Sequence, residues 1–216
     1  RNKVLGAGGR RDLERVGDLA AFDLVRAHFH ALLEIIASEK GAVVKTIWKH
    51  SLAVGLLARE LSKILRNRGA EEAFVCGLLH DVGKILLLSH DAEGFGEVIE
   101  KTAEDGDLQM EIAKFGYSHA EIGALVARRW GLPEEVCYAI LYHHDPSQAQ
   151  NQLLVTYIVD AANMIVNSHG VGVRPIDEER LEFSESIIQL GLKPEQIEQA
   201  WKVVDENLAE VMKAFV

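Results

Sequence analysis

Six residues able to ligate a metal ion punctuate the chain, His50, His80, Asp81, His119, His143 and His144, and Asp160 is a seventh candidate. Neutral imidazole suits iron, zinc, nickel or copper. Carboxylates suit harder ions and can bridge two metals. The mixed set therefore points to one or more divalent ions, with iron, manganese, nickel, zinc and magnesium all open at this point. The ligands are scattered, unlike the tight spacing of a zinc finger, and histidines more often pack or cap than ligate. The stronger signal is local. In Gly77-Leu78-Leu79-His80-Asp81-Val82-Gly83-Lys84 an apolar helical stretch ends in an adjacent imidazole and carboxylate, a pair that is costly to bury without partners. In the alternative reading, His80 and Asp81 only cap their own helix and bond to each other.

The elements that must position these residues are helical, because apolar residues recur at helical spacing and alternating β-branched runs are absent. The fold class expected is all-α, a helical bundle. Leu13 to Ser38 gives one or two amphipathic helices. Ile47, Leu52, Leu56, Leu57, Leu61, Ile64 and Leu65 form a broad stripe that contains His50 and ends near Gly69. The next helix begins at Glu71-Glu72 and runs to His80-Asp81, where Gly83 is expected to interrupt it. Asp91 to Gly116 is polar, with one or two short helices. Ser118-His119-Ala120-Glu121 is a capping-box pattern that sets His119 in a first turn, and that helix stops at Trp130-Gly131-Leu132-Pro133. Pro133 opens a helix ending at His143-His144, before Asp145-Pro146. Leu153 to Asn167 is closed by Gly170 and Gly172, and two more helices lie around Leu181 to Leu190 and Glu195 to Phe215.

Composition limits the classes of function. A 216-residue chain with 48% hydrophobic and 26% charged residues is globular. Its 33 acidic and 23 basic residues give a net charge of −10, which argues against nucleic acid as a main partner. Cys76 and Cys137 sit in apolar stretches without metal or disulfide spacing, as reduced core residues of a cytoplasmic protein would. No single apolar run reaches the roughly 20 residues of a membrane span, so no membrane association is expected. The chain opens Arg1-Asn2-Lys3 without methionine, and further sequence is expected upstream. Residues 1–40 then belong to that longer region, 41–170 form the core with the ligand cluster, and 171–216 pack on it as C-terminal helices.

Trp48-Lys49-His50-Ser51, the GLLHDVGK string, Ser118-His119-Ala120-Glu121-Ile122-Gly123, Trp130-Gly131-Leu132-Pro133 and His143-His144-Asp145-Pro146 occur in an order that resembles the HDOD branch of the HD superfamily. The resemblance runs from about Ile47 to Asn163. It implies an HD-type helical bundle with ligands at His50, His80, Asp81 and a later aspartate, here Asp160. His119, His143 and His144 resemble the extra histidines that let some HD proteins hold a second metal. Two metals could clamp a phosphate and activate water. Asp81 and Lys84 would then be the catalytic residues, Lys84 as a phosphate contact or, equally, a solvated loop lysine.

Three departures bear on that pattern. Either Asp160 or Asn163 can occupy the last ligand position, Thr46 stands where a third-metal carboxylate would be, and the segment after His144 lacks the glycine-tyrosine-proline signature of cyclic-dinucleotide phosphodiesterases. Gly6-Ala7-Gly8-Gly9 lacks the Lys-Ser/Thr of a phosphate loop. His28, His30, His90 and His169 belong to no motif, and Trp201 with Leu208, Val211, Met212 and Phe215 reads as core or interface.

Three functions remain. The first is a bacterial signalling or regulatory domain with an HD-type metal site, partnered by other signalling domains or proteins. The second is an active metal-dependent phosphohydrolase acting on a nucleotide or other phosphoester. In the third the histidines are core residues only.

Overall fold

The computed structural model describes residues 41–101, 108–149, 153–172, 181 and 184–215. The helices expected over Leu13 to Ser38, the Gly6–Gly9 run, His28 and His30 lie outside the described residues. The chain divides into a unit of residues 1–41 and a second unit of residues 42–216, to which all that follows refers. Among the described residues there is no strand, as the helical periodicity requires.

Helix α1, Gly41–Ile64, carries His50. Every residue from His50 to Ala58 is buried, so this middle stretch of the helix is covered all round and not only along one stripe. Helix α2, Ala70–Leu79, crosses it at a contact of backbone on backbone. A Cβ on Gly77 would stand 2.9 Å from the Gly55 Cα and from the Val54 carbonyl oxygen, and a Cβ on Gly55 would stand 2.9 Å from the Phe74 carbonyl oxygen. This crossing fixes the distance between His50, five residues before Gly55, and His80, three residues after Gly77.

Helix α3, Val82–His90, follows almost directly. The break falls at His80-Asp81 and not at the expected Gly83, which lies inside α3. Asp81 leaves helical geometry (φ −101°, ψ 12°) and becomes the residue preceding the new helix. Gly83 has a different role. A Cβ there would lie 1.9 Å from the His119 carbonyl oxygen, so glycine permits the close approach of α3 to the helix that carries His119. Together Ala70–His90 are long and apolar enough to match a membrane span, contrary to the sequence expectation, but they form two helices and 78% of that window is buried inside the protein.

The polar segment yields α4, Ala92–Lys101, and α5, Leu108–Phe115. Helix α6, His119–Arg129, begins with the full capping box. The Ser118 hydroxyl accepts from the Glu121 backbone N–H, and the Glu121 carboxylate accepts from the Ser118 N–H at 2.8 Å. Gly131, at φ +73°, closes α6, and Pro133 precedes α7, Glu134–Tyr142. A short 3-10 turn at Pro146–Gln148 leads to α8, Leu153–Ser168. Helices α9, Glu185–Leu190, and α10, Pro194–Phe215, are the last of the described elements. Helix α6 packs on α3 and α7, while α7 and α8 pack on α2. Cys76 and Cys137 are buried and free, and Trp201, Val204 and Leu208 are buried in the core.

Replacing Gly83 by Ala is expected to destabilise the protein by more than about 2 kcal/mol, because backbone and not a flexible side chain blocks the methyl. Gly96→Ala in α4 meets nothing within 4 Å and is expected to stabilise by about 0.5–1 kcal/mol. Urea denaturation of both variants checks the pair. Similar small effects at the two sites would disprove the tight α3–α6 approach.

Candidate metal centre

The helix ends bring five imidazoles around one carboxylate. His50 comes from the middle of α1, His80 and Asp81 from the α2–α3 junction, His119 from the first turn of α6, and His143 and His144 from the end of α7. His50, His80, Asp81, His119 and His143 are each no more than 3% exposed, and His144 is half-buried.

The orientation of four rings is fixed from behind. The Nδ1 of His50 donates to the Val171 carbonyl at 2.7 Å, that of His80 to Gly77 at 2.7 Å and that of His143 to Ile140 at 2.8 Å. The Nδ1 of His119 donates to the Glu111 carboxylate at 2.8 and 2.9 Å. A carbonyl or carboxylate can only accept, so each ring carries a proton on Nδ1 and in its neutral form presents the Nε2 lone pair.

These lone pairs converge on the two oxygens of Asp81. Oδ2 lies 3.3 Å from His80 Nε2 and 3.7 Å from His50 Nε2, and Oδ1 lies 3.3 Å from His119 Nε2 and 3.6 Å from His143 Nε2. His144 Nε2 stands 3.1 Å from His119 Nε2. Two candidate ligand groups result, His50/His80/Asp81 and Asp81/His119/His143/His144, each with donor atoms within 4.8 Å of one another. Among the described residues, His80 Nε2 and Asp81 Oδ1 are buried without a hydrogen bond of normal geometry. Acceptor facing acceptor beside a carboxylate is an arrangement that calls for a cation, and these donors fit one.

Electrostatics agree. Burial alone would push the Asp81 carboxyl upward, but the adjacent His80, the Lys84 ammonium and the contacts with His119 and His143 hold it well below the usual carboxylate range. Burial opposes charge on His119, yet the Asp81 and Glu111 carboxylates raise its pKa. Burial lowers His143 to about 4, and burial with the charges of His143 and His119 takes His144 well below the usual imidazole value.

The remaining sequence candidates divide. Lys84 is not a solvated loop lysine. It lies in α3, is 7% exposed and holds Asp81 Oδ2 at 2.9 Å. Asp160 belongs to neither ligand group. It accepts a hydrogen bond from the Ser186 hydroxyl, and burial raises its pKa from 3.8 to about 6. Asn163 accepts from Asn167 at 2.9 Å. Thr46 bonds to the Ala42 carbonyl in its own helix. His90 is exposed, and His169 stacks on Trp201 at 4.1 Å. Sequence reasoning missed Glu111. It is the buried residue of α5, whereas the adjacent Ile112 is 36% exposed. That inversion of the hydrophobic pattern is visible only in the fold, and no motif in the sequence singles out Glu111.

The HDOD domain family model matches residues 27–146, more than half of the chain. The chain belongs to the HDOD domain family. The HDOD chain is 31% identical over 159 residues to Ribonuclease Y of Thermus thermophilus, a match covering 74% of this chain and 23% of that protein. It thus spans about a quarter of the length of the curated relatives it matches. A crystal structure of an HDOD domain protein of unknown function from Geobacter sulfurreducens superposes with a TM-score of 0.61 at 29% identity, over 79% of this chain and 61% of that one. A Shewanella amazonensis protein named as a candidate phosphohydrolase shares the fold, with a TM-score of 0.60 at 22% identity over 95% of this chain and 85% of its own.

Asp160 yields a pH-dependent prediction. With a folded-state pKa above the unfolded value, the unfolded chain ionises first, so stability falls as pH rises from about 4 to about 6 and the penalty is complete above that. The displacement is equivalent to at most about 3 kcal/mol, reduced by the solvent that reaches this half-buried group. Asp160→Asn is therefore expected to raise the Tm at pH 7.5 and leave it unchanged at pH 4. Calorimetry at the two pH values tests this, and a lowered Tm at pH 7.5 would show instead that the ionised carboxylate is needed.

Proposed function

We propose that this HDOD domain is a signalling module built around a two-metal centre that binds a phosphate-bearing ligand. The observation that carries the reading is the division of Asp81, with one oxygen facing His50 and His80 and the other facing His119 and His143. Five imidazoles with one carboxylate favour iron, manganese, nickel or zinc over magnesium, which prefers oxygen ligands. When bound, such ions supply Lewis-acid polarisation of a phosphoryl oxygen and lower the pKa of water.

The chain's own residues supply the rest. Lys84, after the adjacent His80, helps hold the Asp81 carboxyl low and places a positive charge at the edge of the cluster. His143 and His144, held neutral by burial and neighbouring charge, keep their lone pairs at neutral pH. His144, the least buried of the five rings, marks the side from which a ligand would enter. The partners proposed are other signalling domains and a phosphate-containing small molecule, in the cytoplasm and away from membranes.

Phosphoester hydrolysis is the second reading. The Lys84 ammonium beside the shared carboxylate favours it, since a cation there can steady developing phosphate charge. The relatives' name, Ribonuclease Y, makes a short RNA oligonucleotide a suitable test substrate, although the net charge of −10 argues against RNA as the main partner.

Elemental analysis of the purified protein is expected to find two divalent ions per chain. His80→Ala should lower metal content and Tm together, since binding to the folded state at a thousand-fold excess over Kd adds about 4 kcal/mol. Turnover of bis(p-nitrophenyl) phosphate and of the oligonucleotide should be weak, abolished by Asp81→Ala and reduced less by Lys84→Ala. Metal-free protein of unchanged stability would refute the centre, while fast, chelator-sensitive hydrolysis would make the domain an enzyme first.

A further inference from the structure

We propose that Glu111 is the positioning residue of the metal centre, locking the His119 ring so that its Nε2 faces the Oδ1 side of Asp81 shared with His143. The proposal rests on the two-metal reading above.

Glu111 lies in no motif of the chain, and α5 contributes nothing else to the site. The residue is nonetheless 6% exposed, at the one buried position of a short helix that leaves Ile112 at the surface. Burying a carboxylate in place of an available aliphatic side chain is unfavourable unless the carboxylate is used. Both of its oxygens are used on one residue. Oε2 accepts from the His119 backbone N–H at 2.5 Å and from His119 Nδ1 at 2.8 Å, and Oε1 accepts from the same Nδ1 at 2.9 Å. Anchoring the backbone and the ring together leaves His119 a single orientation. A flipped ring would turn a C–H toward the carboxylate and lose both ring contacts.

Helix capping alone does not account for this. The start of α6 is already closed by the reciprocal Ser118–Glu121 box, so the bond to Nδ1 is additional. The other three fixed rings rest on backbone carbonyls, two of them three residues back in the same helix. Of these four rings, His119 is the one whose support comes from a side chain. The support is therefore open to substitution, and carboxylate partners of this kind typically contribute 10–100-fold to metal affinity.

The test titrates the metal-free full chain with Co2+, followed by calorimetry and by the visible absorption of the bound ion. Wild type should take up two equivalents. Glu111→Gln should bind one equivalent nearly unchanged and the other 10–100-fold more weakly, with an altered cobalt spectrum and a metal-free Tm close to wild type. Ser118→Ala is the control for a purely structural effect. It should lower the Tm through loss of the cap and still bind two equivalents. Two equivalents at wild-type affinity in Glu111→Gln would overturn the inference, as would equal loss of one ion in both variants. Wild type that binds no cobalt would instead overturn the two-metal reading. Should Glu111→Gln not fold, 15N NMR of zinc-loaded wild type decides. His119 protonated at Nδ1 and coordinated at Nε2 supports the proposal, and the reverse arrangement ends it.

Discussion

The structure depends on a set of hydrogen bonds made on the far side of the site, those that fix Nδ1 of four histidines. Once the Nδ1–H donates to a carbonyl or a carboxylate, a neutral ring has its one lone pair on Nε2 and is held in the orientation that aims it into the site. Two of these bonds, from His80 to Gly77 and from His143 to Ile140, reach back three residues at a helix C-terminus, where carbonyls have no intrahelical partner. The histidines therefore satisfy the ends of α2 and α7 while aiming away from them. The glycine contacts extend the same constraint to the whole bundle. Gly55 on Gly77 and Gly83 on His119 set α1 against α2 and α3 against α6 at distances that any side chain would enlarge. At such distances the Nε2 atoms meet at Asp81.

Convergence of this kind has an electrostatic cost that must be offset locally. Asp81 is 1% exposed and ionised, which is tolerable only beside positive charge. Lys84, one helical turn on, supplies part of it. The raised pKa of His119 and the lowered values of His143 and His144 express the same demand. The cluster attracts positive charge where two carboxylates meet an imidazole and rejects it where imidazoles stand together. A metal ion meets the first condition without requiring the neutral rings to take protons, and for that reason metal binding and deprotonated histidines go together.

Much of this was legible in the sequence because the information is local. The capping box at Ser118, the stop at Gly131, the helical periodicity and the order of the motifs all depend on neighbours within a few residues. What was not legible depends on long-range approach. Gly83 resembles a helix breaker in one dimension and is a contact glycine in three. Lys84 looks like a loop lysine until the break moves back to His80-Asp81 and carries it into a buried turn. Glu111 could be found only by knowing which face of α5 turns inward. Asp160 and Asn163 are equivalent by spacing, but Ser186 holds the first and Asn167 bonds to the second, contacts made after the last ligand motif has ended.

The position of α8 has a further consequence. With Asp160 held by Ser186 and Asn163 by Asn167, this helix adds no carboxylate to the His50–His80 group, which keeps three donors while the His119 group has four. Asp81 belongs to both, so a change at Asp81 reaches both groups, whereas a change at His119 or its support reaches one. A change that draws Oδ1 toward His119 also turns Oδ2 relative to His50 and His80. The four-donor group is held by α3, α6 and α7 and reinforced by Glu111. The three-donor group is held by α1 and the α2–α3 junction, with His50 anchored to Val171 beyond the end of α8. The asymmetry follows from which helices supply side chains: α7 ends in two adjacent histidines that both join the His119 group, whereas the His50 group receives one residue from α1 and two from the α2–α3 junction.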